Sequence, residues 1–587
     1  MNRLLKNTLF CSIIAFAACK KTPAPAPAPV TPPVVVPPVT PGADTIPADP
    51  SIAASIGFFM DNWLPKSFTV PSATTDQPLT SSAATVTVTI NTGQVITKIA
   101  PTYFGNNSNL WIGQLNNEGT LVNHLNNFQP RIIRGPAGSV GDVFFFNRAA
   151  NSPPADAPAQ FVKADGTKEP SGFWYGKNTD SWTFSMDGYY DLLLKTNSTG
   201  LLTVNYGYAR YGTSSDPVAA AAHLAADWVR YDNGRTKYWE VGNECFGDWE
   251  AGYRINIDDN KDGQPEFITG ALYGKHFKVF ADSMHKAAAE VGAPIHVGAV
   301  LYDSPPASWN TDAIKNWNTG VFAEAGNKPD YFIVHSYFTN YNENSSAETI
   351  FNTAAAVPSA VKKYVTDGIG AAGLTQKPVA MTEWNLFSSG SKQNVSNVAG
   401  MHAVLTMGEF IKTGYAASLR WDIANGWSNG DDHGLFSLGD EPEAGVAKWN
   451  PRPAFYHMYY FQKNTGDRML SSTVAGSTDI VSYASSFTSG EKAVVLVNKS
   501  TSAKTVATKF QYFTPGNKFY YYVLTGGSDN GEFSRVVNVN GAGASNGIAG
   551  GPADTYQSIK MYATPASGEI KIAVPARGVV FMVVDKR

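Results

Sequence analysis

The chain has 587 residues with a formal net charge of −3, and 43% of its residues are hydrophobic. This length exceeds one ordinary domain and can hold a large barrel or α/β core with a smaller companion. The hydrophobic content excludes a chain that is disordered throughout. A nucleic-acid partner is excluded as the leading interpretation, because binding a polyanion requires a basic surface.

The N-terminus has the pattern of an export signal. Arg3 and Lys6 are followed by an apolar run, residues 9–18, which is too short to span a bilayer. The run ends in small residues before Cys19, and this resembles a bacterial lipoprotein signal in which Cys19 becomes the lipidated first residue. We therefore expect residues 1–18 to be a signal peptide. The alternative is an ordinary cleaved signal with an incidental cysteine.

Residues 19–50 are predicted to form a proline-rich tether. Nine prolines occur within residues 22–41, a composition that favours extended polyproline II and cannot build a core. A lipid anchor followed by a stiff tether predicts an exported, membrane-anchored lipoprotein on the periplasmic or cell-surface side. Only Cys245 remains after Cys11 and Cys19, which excludes a disulfide within the folded body.

The middle of the chain alternates between apolar strand segments and helical segments such as 217–231 and 271–291. The predicted strands are 99–105, 130–135, 201–207, 236–244, 295–300, 331–337, 378–385 and 418–424. Eight strands with crossover helices predict an α/β fold, a (β/α)8 TIM barrel over residues 96–464. A doubly wound sheet is the rival, but no glycine-rich phosphate loop follows the first strand.

Residues 465–587 have a different pattern, with short strands between Gly, Asn, Ser and Thr turns. The predicted strands are 493–497, 518–524, 535–539, 570–574 and 579–584. This pattern predicts a C-terminal β-sandwich. Residues 84–91 alternate cleanly without a partner nearby in sequence, so we expect this N-terminal strand (84–95) to join the sandwich.

Two carboxylates end apolar strands of the predicted barrel. Glu244 closes YWEVGNE and Glu383 closes PVAMTE. Active sites of such barrels lie at the carboxyl ends of the strands, and strands four and seven face each other across the mouth. Paired carboxylates are what glycosidic cleavage requires, since one protonates the leaving oxygen while the other attacks or stabilises the sugar carbon.

Other polar and aromatic residues lie near the same strand ends. The predicted substrate contacts are Arg134, Asn205, Asn243, His335, Tyr337, Trp384, Trp421 and His433. Aromatic faces at this position suit stacking on sugar rings, and Tyr103, Trp111 and Trp427 are further candidates. For each aromatic residue core packing is the alternative, and His335 could equally be a core histidine. Glu240 is expected to pair with Arg131 or Arg134, and Asp303 and Asp422 to be solvated loop carboxylates.

An Asn-Glu pair ending strand four and a Glu ending strand seven resemble the retaining (β/α)8 glycoside hydrolases of clan A. The segments WEVGNE (239–244), HSY (335–337), EWN (383–385) and PRPAFYHMYYF (451–461) look most like α-L-arabinofuranosidases of glycoside hydrolase family 51. The resemblance covers roughly residues 84–587, is specific at strands four and seven, and does not extend to the insertions around 144–195 and 246–270.

The resemblance implies roles for five of these residues. Glu244 would be the general acid/base, with a raised pKa, and Glu383 the nucleophile. Asn243 would bind the sugar hydroxyl beside the anomeric carbon. Tyr337 would donate to Glu383, and Arg134 would lower its pKa. The two carboxyl groups would lie ~5–5.5 Å apart, as retention requires.

The segment Asp258-Asp259-Asn260-Lys261-Asp262-Gly263 matches the opening of a calcium loop, with Asp258, Asn260 and Asp262 as possible ligands. The twelfth position is Thr269 where such a loop needs a bidentate Glu. A polar surface turn is therefore the main interpretation and structural calcium the alternative. The reaction itself requires no cofactor.

These patterns predict a retaining glycoside hydrolase acting on plant-type polysaccharide, with an arabinofuranosidase-like exo-enzyme as first choice. An endo-β-glucanase or xylanase on the same barrel is the alternative within this class, because loop variation changes the substrate of this fold. A non-catalytic carbohydrate-binding surface lipoprotein is the alternative from another class. The intact pair Glu244 and Glu383 argues against it.

Overall fold

The computed structural model of the protein describes residues 47–386, 390–566 and 569–587. The predicted signal peptide, Cys19 and most of the tether lie outside these residues.

The strands, in chain order, are β1 (Thr74–Asp76), β2 (Val86–Lys98), β3 (Gly105–Asn107), β4 (Ile132–Gly135), β5 (Phe144–Ala149), β6 (Gln160–Val162), β7 (Lys168–Pro170), β8 (Tyr175–Lys177), β9 (Thr199–Val204), β10 (Tyr238–Val241), β11 (His296–Val300), β12 (Tyr331–Tyr337), β13 (Val379–Asn385), β14 (Ala417–Arg420), β15 (Arg468–Ala475), β16 (Ile480–Ser486), β17 (Lys492–Asn498), β18 (Lys504–Gln511), β19 (Pro515–Gly526), β20 (Val537–Val539), β21 (Met561–Pro565), β22 (Ile570–Val574) and β23 (Gly578–Lys586). The α-helices are α1 (Gly119–Phe128), α2 (Met186–Thr196), α3 (Gly207–Tyr211), α4 (Pro217–Asp232), α5 (Gly270–Glu290), α6 (Asp312–Lys315), α7 (Trp317–Ala325), α8 (Ala347–Ala371), α9 (Asn397–Thr413) and α10 (Pro453–Asn464).

Eight of these strands close into a parallel barrel. In chain order they are β3, β4, β9, β10, β11, β12, β13 and β14, and β14 pairs with β3 to complete the ring. The strands are almost entirely buried, as expected when helices cover a parallel sheet on its outer face. The predicted (β/α)8 barrel is therefore confirmed.

The first barrel strand begins later than its apolar pattern suggested. Residues 99–105 were predicted as strand, whereas Pro101–Tyr103 forms a 3-10 helix and the strand is Gly105–Asn107. Proline fixes its own φ near the helical value and has no N–H to give to a strand neighbour, which favours the helical turn. The shift places Asn107 at the end of the barrel formed by the carboxyl ends of the strands, and Tyr103 at the opposite end.

The C-terminal region forms an eleven-stranded mixed sheet that includes both N-terminal strands. β2 lies between β15 and β18, and β1 pairs with β21. The sheet encloses its own hydrophobic core, to which β2 contributes Val86, Val88 and Ile90. The predicted sandwich with an N-terminal strand is confirmed.

The sheet packs against the barrel through α9 and α10. The Tyr483 hydroxyl donates to the Leu405 carbonyl at 3.0 Å and lies against buried Glu409. Tyr460 on α10 donates to the Tyr556 carbonyl at 2.8 Å. These buried contacts join the barrel to the sheet through one apolar cluster. No helix among the described residues combines the length and apolarity needed to cross a membrane.

Candidate active site

The two strand-end carboxylates meet at the mouth of the barrel. Glu383 lies on β13, and Glu244 follows β10 after Gly242 and Asn243. Gly242 has a φ of +80°, and a Cβ there would lie 2.4 Å from Cys245 Sγ, so the turn that carries Glu244 over the barrel requires glycine. One carboxylate oxygen of each glutamate and one ring nitrogen of His335 lie within 4.8 Å of one another.

Both oxygens of Glu383 accept hydrogen bonds, one from a buried donor and one from a half-buried donor. Arg134 Nη1 donates to Oε1 at 2.6 Å, and the Tyr337 hydroxyl donates to Oε2 at 2.9 Å. Arg134 has no solvent-exposed surface, so its charge acts on Glu383 without screening by water. The carboxylate of Glu383 is thus held in one orientation.

Arg134 is itself fixed by three further acceptors. Its Nε donates to Glu240 Oε2 at 2.6 Å, Nη1 also donates to Asn107 Oδ1 at 3.1 Å, and Nη2 donates to Asn243 Oδ1 at 2.8 Å. Glu240 is fully buried, and of the two expected partners it pairs with Arg134. The Arg134 guanidinium therefore connects β10, the strand that precedes Glu244, with β13, the strand that carries Glu383.

Glu244 has a different environment. His335 Nδ1 donates to Oε1 at 2.9 Å, and the indole N–H of Trp249 donates to Oε2 at 3.1 Å. Burial raises the pKa of Glu244, but the hydrogen bond and charge of His335, with Trp249 and Arg134, outweigh burial and hold this pKa below its ordinary value. The expectation of a raised Glu244 pKa was wrong.

The pKa of His335 moves in the opposite direction. Burial lowers it, but the charge of Glu383 and the hydrogen bond to Glu244 outweigh burial and raise it above the ordinary value. The other ring nitrogen, Nε2, lies 3.0 Å from Thr382 Oγ1. The two pKa shifts therefore favour the imidazole over the carboxylate as the holder of the proton in this pair.

Asn243 is held in place by a buried acidic pocket. Its Nδ2 donates to Glu250 Oε1 at 2.8 Å, and its backbone N–H donates to Asp142 Oδ2 at 3.2 Å. Ser139 also donates to Glu250 Oε1, at 2.8 Å. Burial and the charge of Asp142 raise the pKa of Glu250 well above its ordinary value, and burial raises that of Asp142 to about 7. Asp142 and Glu250 were not identified from the sequence.

Trp421 and His433 lie beside this centre. Trp421 follows β14, and its ring centroid is 6.3 Å from that of Trp111. The imidazole of His433 lies edge-on to Tyr337 at 6.2 Å. Burial and the charge of Arg420 lower the pKa of His433 to about 3, so its ring is neutral. Trp427 is half-buried against the Arg535 guanidinium.

Two predicted substrate contacts do not face the cleft. β9 ends at Val204, and the Asn205 amide bonds the Phe144 carbonyl, the Tyr211 hydroxyl and the Tyr208 N–H. Its polar atoms are therefore used within the protein.

Trp384 is fully buried and packs against Phe410 on α9, with ring centroids 5.5 Å apart. Successive strand residues point to opposite faces, so Glu383 on the inner face requires Trp384 on the outer face.

Two other expectations about single residues also fail. Tyr103 is buried at the wrong end of the barrel to stack on a sugar. Asp422 is fully buried and accepts a hydrogen bond from Asn109, and burial raises its pKa well above the ordinary value. It is therefore not a solvated loop carboxylate. Asp303 is half-buried and lies beside the Ser304 hydroxyl.

The possible calcium loop uses its oxygens internally. Asn260 Oδ1 accepts from the Gln264 N–H at 2.8 Å, and the two oxygens of Asp262 accept from Asn260 Nδ2 and Gln264 Nε2 at 2.6 and 2.7 Å. These contacts describe a hydrogen-bonded surface turn, which also includes Asp258. Within the described residues, Glu244, His335 and Glu383 form the group whose spacing suits a metal ion, but a protonated His335 and the Arg134 charge oppose a cation there.

Comparison with known proteins identifies the architecture. No family model and no curated protein matches the chain. The α-L-arabinofuranosidase from Thermotoga maritima superposes with a TM-score of 0.58 at 15% identity, covering 85% of this chain and 99% of that one. The family 51 enzyme from Thermotoga petrophila gives 0.57 at 14%, with 85% and 100% covered. The likeness establishes the fold.

A second type of glycoside hydrolase has the same architecture. A family 44 xyloglucanase from Paenibacillus polymyxa superposes with a TM-score of 0.52 at 11% identity, covering 86% of this chain and all of that one. The resemblance inferred from WEVGNE and PVAMTE is thus confirmed at the level of the fold. At these identities the chemistry of this chain has to be argued from its own residues.

Proposed function

We propose that this protein is a retaining glycoside hydrolase that cleaves plant-type polysaccharide by double displacement. The observation that carries the proposal is the pair Glu244 and Glu383, whose nearest oxygens lie within 4.8 Å at the ends of two facing barrel strands. Retaining enzymes separate their carboxyl groups by ~5–5.5 Å, whereas inverting enzymes leave ~6.5–9.5 Å for a water molecule. The short separation supports direct attack by a carboxylate.

The two glutamates divide the reaction. A Glu383 oxygen attacks the anomeric carbon, the glycosidic bond breaks, and the leaving oxygen takes a proton from Glu244. Glu244 then removes a proton from water, which attacks the same carbon and releases Glu383. The imidazole of His335, 2.9 Å from Glu244, supplies the proton in the first half and accepts it in the second.

The remaining contacts serve the nucleophile and the sugar. Arg134 and Tyr337 hold both carboxylate oxygens of Glu383 in a fixed position, and such preorganisation lowers the barrier. Asn243 presents its amide beside Glu244, where it can bind the hydroxyl next to the anomeric carbon. Trp421, Trp111 and His433 provide flat groups next to this position.

We propose α-L-arabinofuranosidase-like action as the specific activity, supported by the architecture shared with the two Thermotoga enzymes. The test is product size and sugar identity after incubation with arabinoxylan, arabinan, xylan and β-glucan, with the Glu383→Gln protein in parallel. Free arabinose from the wild type alone supports the proposal. Absence of any product on all four polymers contradicts it.

Exposed aromatic side chains favour a second candidate, an endo-β-glucanase or xylanase. Trp182, Trp249, Trp309 and Tyr341 are large, exposed and lie in strand-to-helix connections on the catalytic face, and Trp309 is 83% exposed. Stacking platforms spread along a rim suit a long polymer. Oligosaccharide products that vanish in the Glu383→Gln protein would select this candidate. Binding of polymer without any cleavage would select the non-catalytic carbohydrate-binding lipoprotein.

We also propose that the protein is an exported lipoprotein, anchored through Cys19 and held off the membrane by the proline-rich segment. The basis is the sequence pattern of residues 1–50. Incorporation of labelled palmitate and partition into detergent, both abolished by Cys19→Ser, would support the anchor. Labelling of a protein that carries Cys19→Ser would contradict it.

A further inference from the structure

A large cavity lies at the end of the barrel opposite the candidate active site. Its volume is about 910 Å³, within the range of ligand pockets, ~300–1,000 Å³. Its floor is built from residues that precede barrel strands, among them Arg131 before β4 and Lys237 before β10. Its walls come from the end of α10 and from residues 59–66. Gln129, Leu64 and Lys463 are exposed at its rim, so solutes can enter.

The lining is strongly basic although the whole chain carries a net charge of −3. The basic residues that line it are Lys66, Arg131, Arg235, Lys237 and Lys463, and the acidic one is Asp467. The Asp467 carboxylate is already used, since it accepts from the Lys66 N–H at 2.6 Å and the Thr488 hydroxyl at 2.5 Å. A cavity with this charge attracts anions.

Three of these cations are available to a ligand. Lys66 Nζ donates to three carbonyls at the end of α10, and Arg235 stacks on Tyr190, so both are occupied. Arg131 donates only to the side chain of Gln129 among the described residues, and Lys463 to the Tyr459 hydroxyl. No described carboxylate forms an ion pair with Arg131, Lys237 or Lys463.

Crowding of like charges supports an anionic ligand. Burial, followed by the charge of Arg131, lowers the pKa of Lys66 to about 8. Burial also lowers the pKa of Arg131. A bound anion would compensate both effects, because it returns a counter-charge to cations that burial has removed from water.

Two polar atoms of the lining are buried without a hydrogen-bond partner among the described residues. They are the indole N–H of Trp63, a donor, and Gln462 Oε1, an acceptor. The Trp63 ring is fixed between Lys98 and Arg468, at 3.7 and 5.0 Å from its centroid, so the indole cannot turn freely to solvent. Neither atom is accessible to solvent, whereas Asn62 and Gln129 of the same lining are exposed and present amide groups that hydroxyl groups can bind.

We propose that this cavity is a second carbohydrate-binding site that takes an acidic sugar, a uronic acid residue of an oligosaccharide. The carboxylate of the sugar binds Arg131, whose guanidinium can donate two parallel hydrogen bonds, and Lys237, whose ammonium group is a compact positive charge. The sugar hydroxyls bind the exposed amide groups of Asn62 and Gln129. The site lies at the opposite end of the barrel from Glu383 and is independent of hydrolysis.

The test is calorimetric titration of the full chain carrying Glu383→Gln with digalacturonic acid, cellobiose and inorganic phosphate. We expect digalacturonic acid to bind with a dissociation constant near 1 mM or below and its affinity to fall about tenfold in Arg131→Gln and in Lys237→Gln. Lys275→Gln, at a lysine exposed elsewhere on α5, should leave this affinity unchanged. Binding of cellobiose should be the same in all variants.

Several outcomes would overturn the proposal. No saturable binding of digalacturonic acid, or binding that neither substitution weakens, excludes an acidic-sugar site. Binding of phosphate alone, with loss in both variants, makes the cavity a site for small anions. Lys237→Gln keeps the test informative if Arg131→Gln misfolds, because the Lys237 side chain makes no described hydrogen bond or ion pair. Hydrolysis is measured separately, in Arg131→Gln and Lys237→Gln proteins that retain Glu383. Failure of the acidic-sugar site can therefore be told apart from failure of the proposed hydrolysis.

Discussion

His335 Nδ1 lies 2.9 Å from Glu244 Oε1, and the pKa values of the two groups are displaced in opposite directions. The imidazole is held above its ordinary pKa and the carboxyl below. In the proposed reaction, the proton that departs with the leaving group is therefore held one hydrogen bond away from the oxygen that delivers it. This arrangement would let Glu244 act as an acid near neutral pH without a raised pKa of its own.

Replacing His335 should change the pH dependence of the reaction. In the wild type the pair keeps its proton until pH rises through the raised His335 pKa, above 6.5. In His335→Gln only the Glu244 carboxyl can hold it, so we expect the basic limb of kcat/KM to move about one pH unit towards acid and kcat to fall about 10²-fold. Initial rates on an aryl glycoside from pH 4 to 9 measure both.

Thr382→Val is the matched control for this substitution. It removes the hydroxyl 3.0 Å from His335 Nε2 but keeps the imidazole and its charge. Its basic limb should therefore move less than that of His335→Gln. An unchanged basic limb in His335→Gln would mean that His335 does not store the proton.

Substitution of each glutamate should separate the two roles. Glu383→Gln removes the nucleophile, and we expect at least about a 10⁴-fold loss of kcat on every substrate. Glu244→Gln removes the proposed proton donor, so kcat/KM should fall about 10²–10⁴-fold on polysaccharide and little on a dinitrophenyl glycoside, whose leaving group needs no proton. On the dinitrophenyl glycoside kcat should still fall, because hydrolysis of the glycosyl-enzyme intermediate then lacks its general base.

Steady-state kinetics on both substrates, with azide added, checks the assignment. Azide should restore turnover of the dinitrophenyl glycoside by the Glu244→Gln protein, because it can attack the glycosyl-enzyme intermediate without a general base. Equal losses on the two substrates for Glu244→Gln would contradict its role as the acid.

The sequence predicted the repeating strands of the barrel and the functional residues at the carboxyl ends of those strands. Short continuous apolar runs located seven of the eight barrel strands to within a few residues, because each strand is buried on both faces and bounded by polar turns. The run at 99–105 reaches only the first residue of β3. The order of the strands then placed Glu244 and Glu383 together, with Arg134 and Tyr337 between them. Side chains on regular strands could be assigned since the fold determines which strand ends converge.

Residues outside the regular strands could not be placed in the same way. Asn205 was expected in the cleft, but β9 already ends at Val204 and the chain then turns into the short helix α3. Trp249 and Glu250 lie in an irregular connection after β10, where no periodicity indicates a direction. The Glu244 pKa was misjudged because its decisive neighbour, His335, is 91 residues away in sequence. Trp384 was the avoidable error, since it alternates with Glu383 on one strand.

Glu250 should act as a positioning residue for Asn243. Its Oε1 accepts from Asn243 Nδ2 and Ser139, its Oε2 is buried without a described partner, and its pKa is raised well above the ordinary value, mainly by burial. The neutral acid and its amide have the same shape, so Glu250→Gln should keep kcat/KM within about threefold. Glu250→Ala frees the Asn243 amide and should reduce kcat/KM about tenfold.

A double-mutant cycle with Asn243→Ala distinguishes positioning from loss of stability. If Glu250 acts through Asn243, Glu250→Ala should have little further effect on kcat/KM once Asn243 is alanine. Effects that multiply in the double variant would show that Glu250 acts on the reaction by another route.

Stability should fall as pH rises from about 6.5 to 8. Four buried groups have folded-state pKa values above their ordinary ones: Asp142, at about 7, Glu250, Asp422 and His335. Each keeps its proton longer in the folded than in the unfolded chain, so unfolding releases protons and the free energy of unfolding decreases with pH. Below 6.5, neutral buried histidines such as His402 and His457 act in the opposite direction, because their folded-state pKa values are lowered by burial, to about 3 and about 4.

Differential scanning calorimetry in buffers of matched ionic strength tests this dependence. We expect Tm to be lower at pH 8 than at pH 6.5 in the wild type, and the decrease to be smaller in Glu250→Gln, because the amide has no proton to release. Burial lowers the pKa values of Lys66 and Lys362 to about 8. These two lysines increase the free energy of unfolding only as pH rises above that value, so they do not affect the range from pH 6.5 to 8. A Tm that rises between pH 6.5 and 8, or a slope unaffected by Glu250→Gln, would mean that these carboxyl groups are ionised in the folded protein and that the Asn243 amide is held by a charged partner.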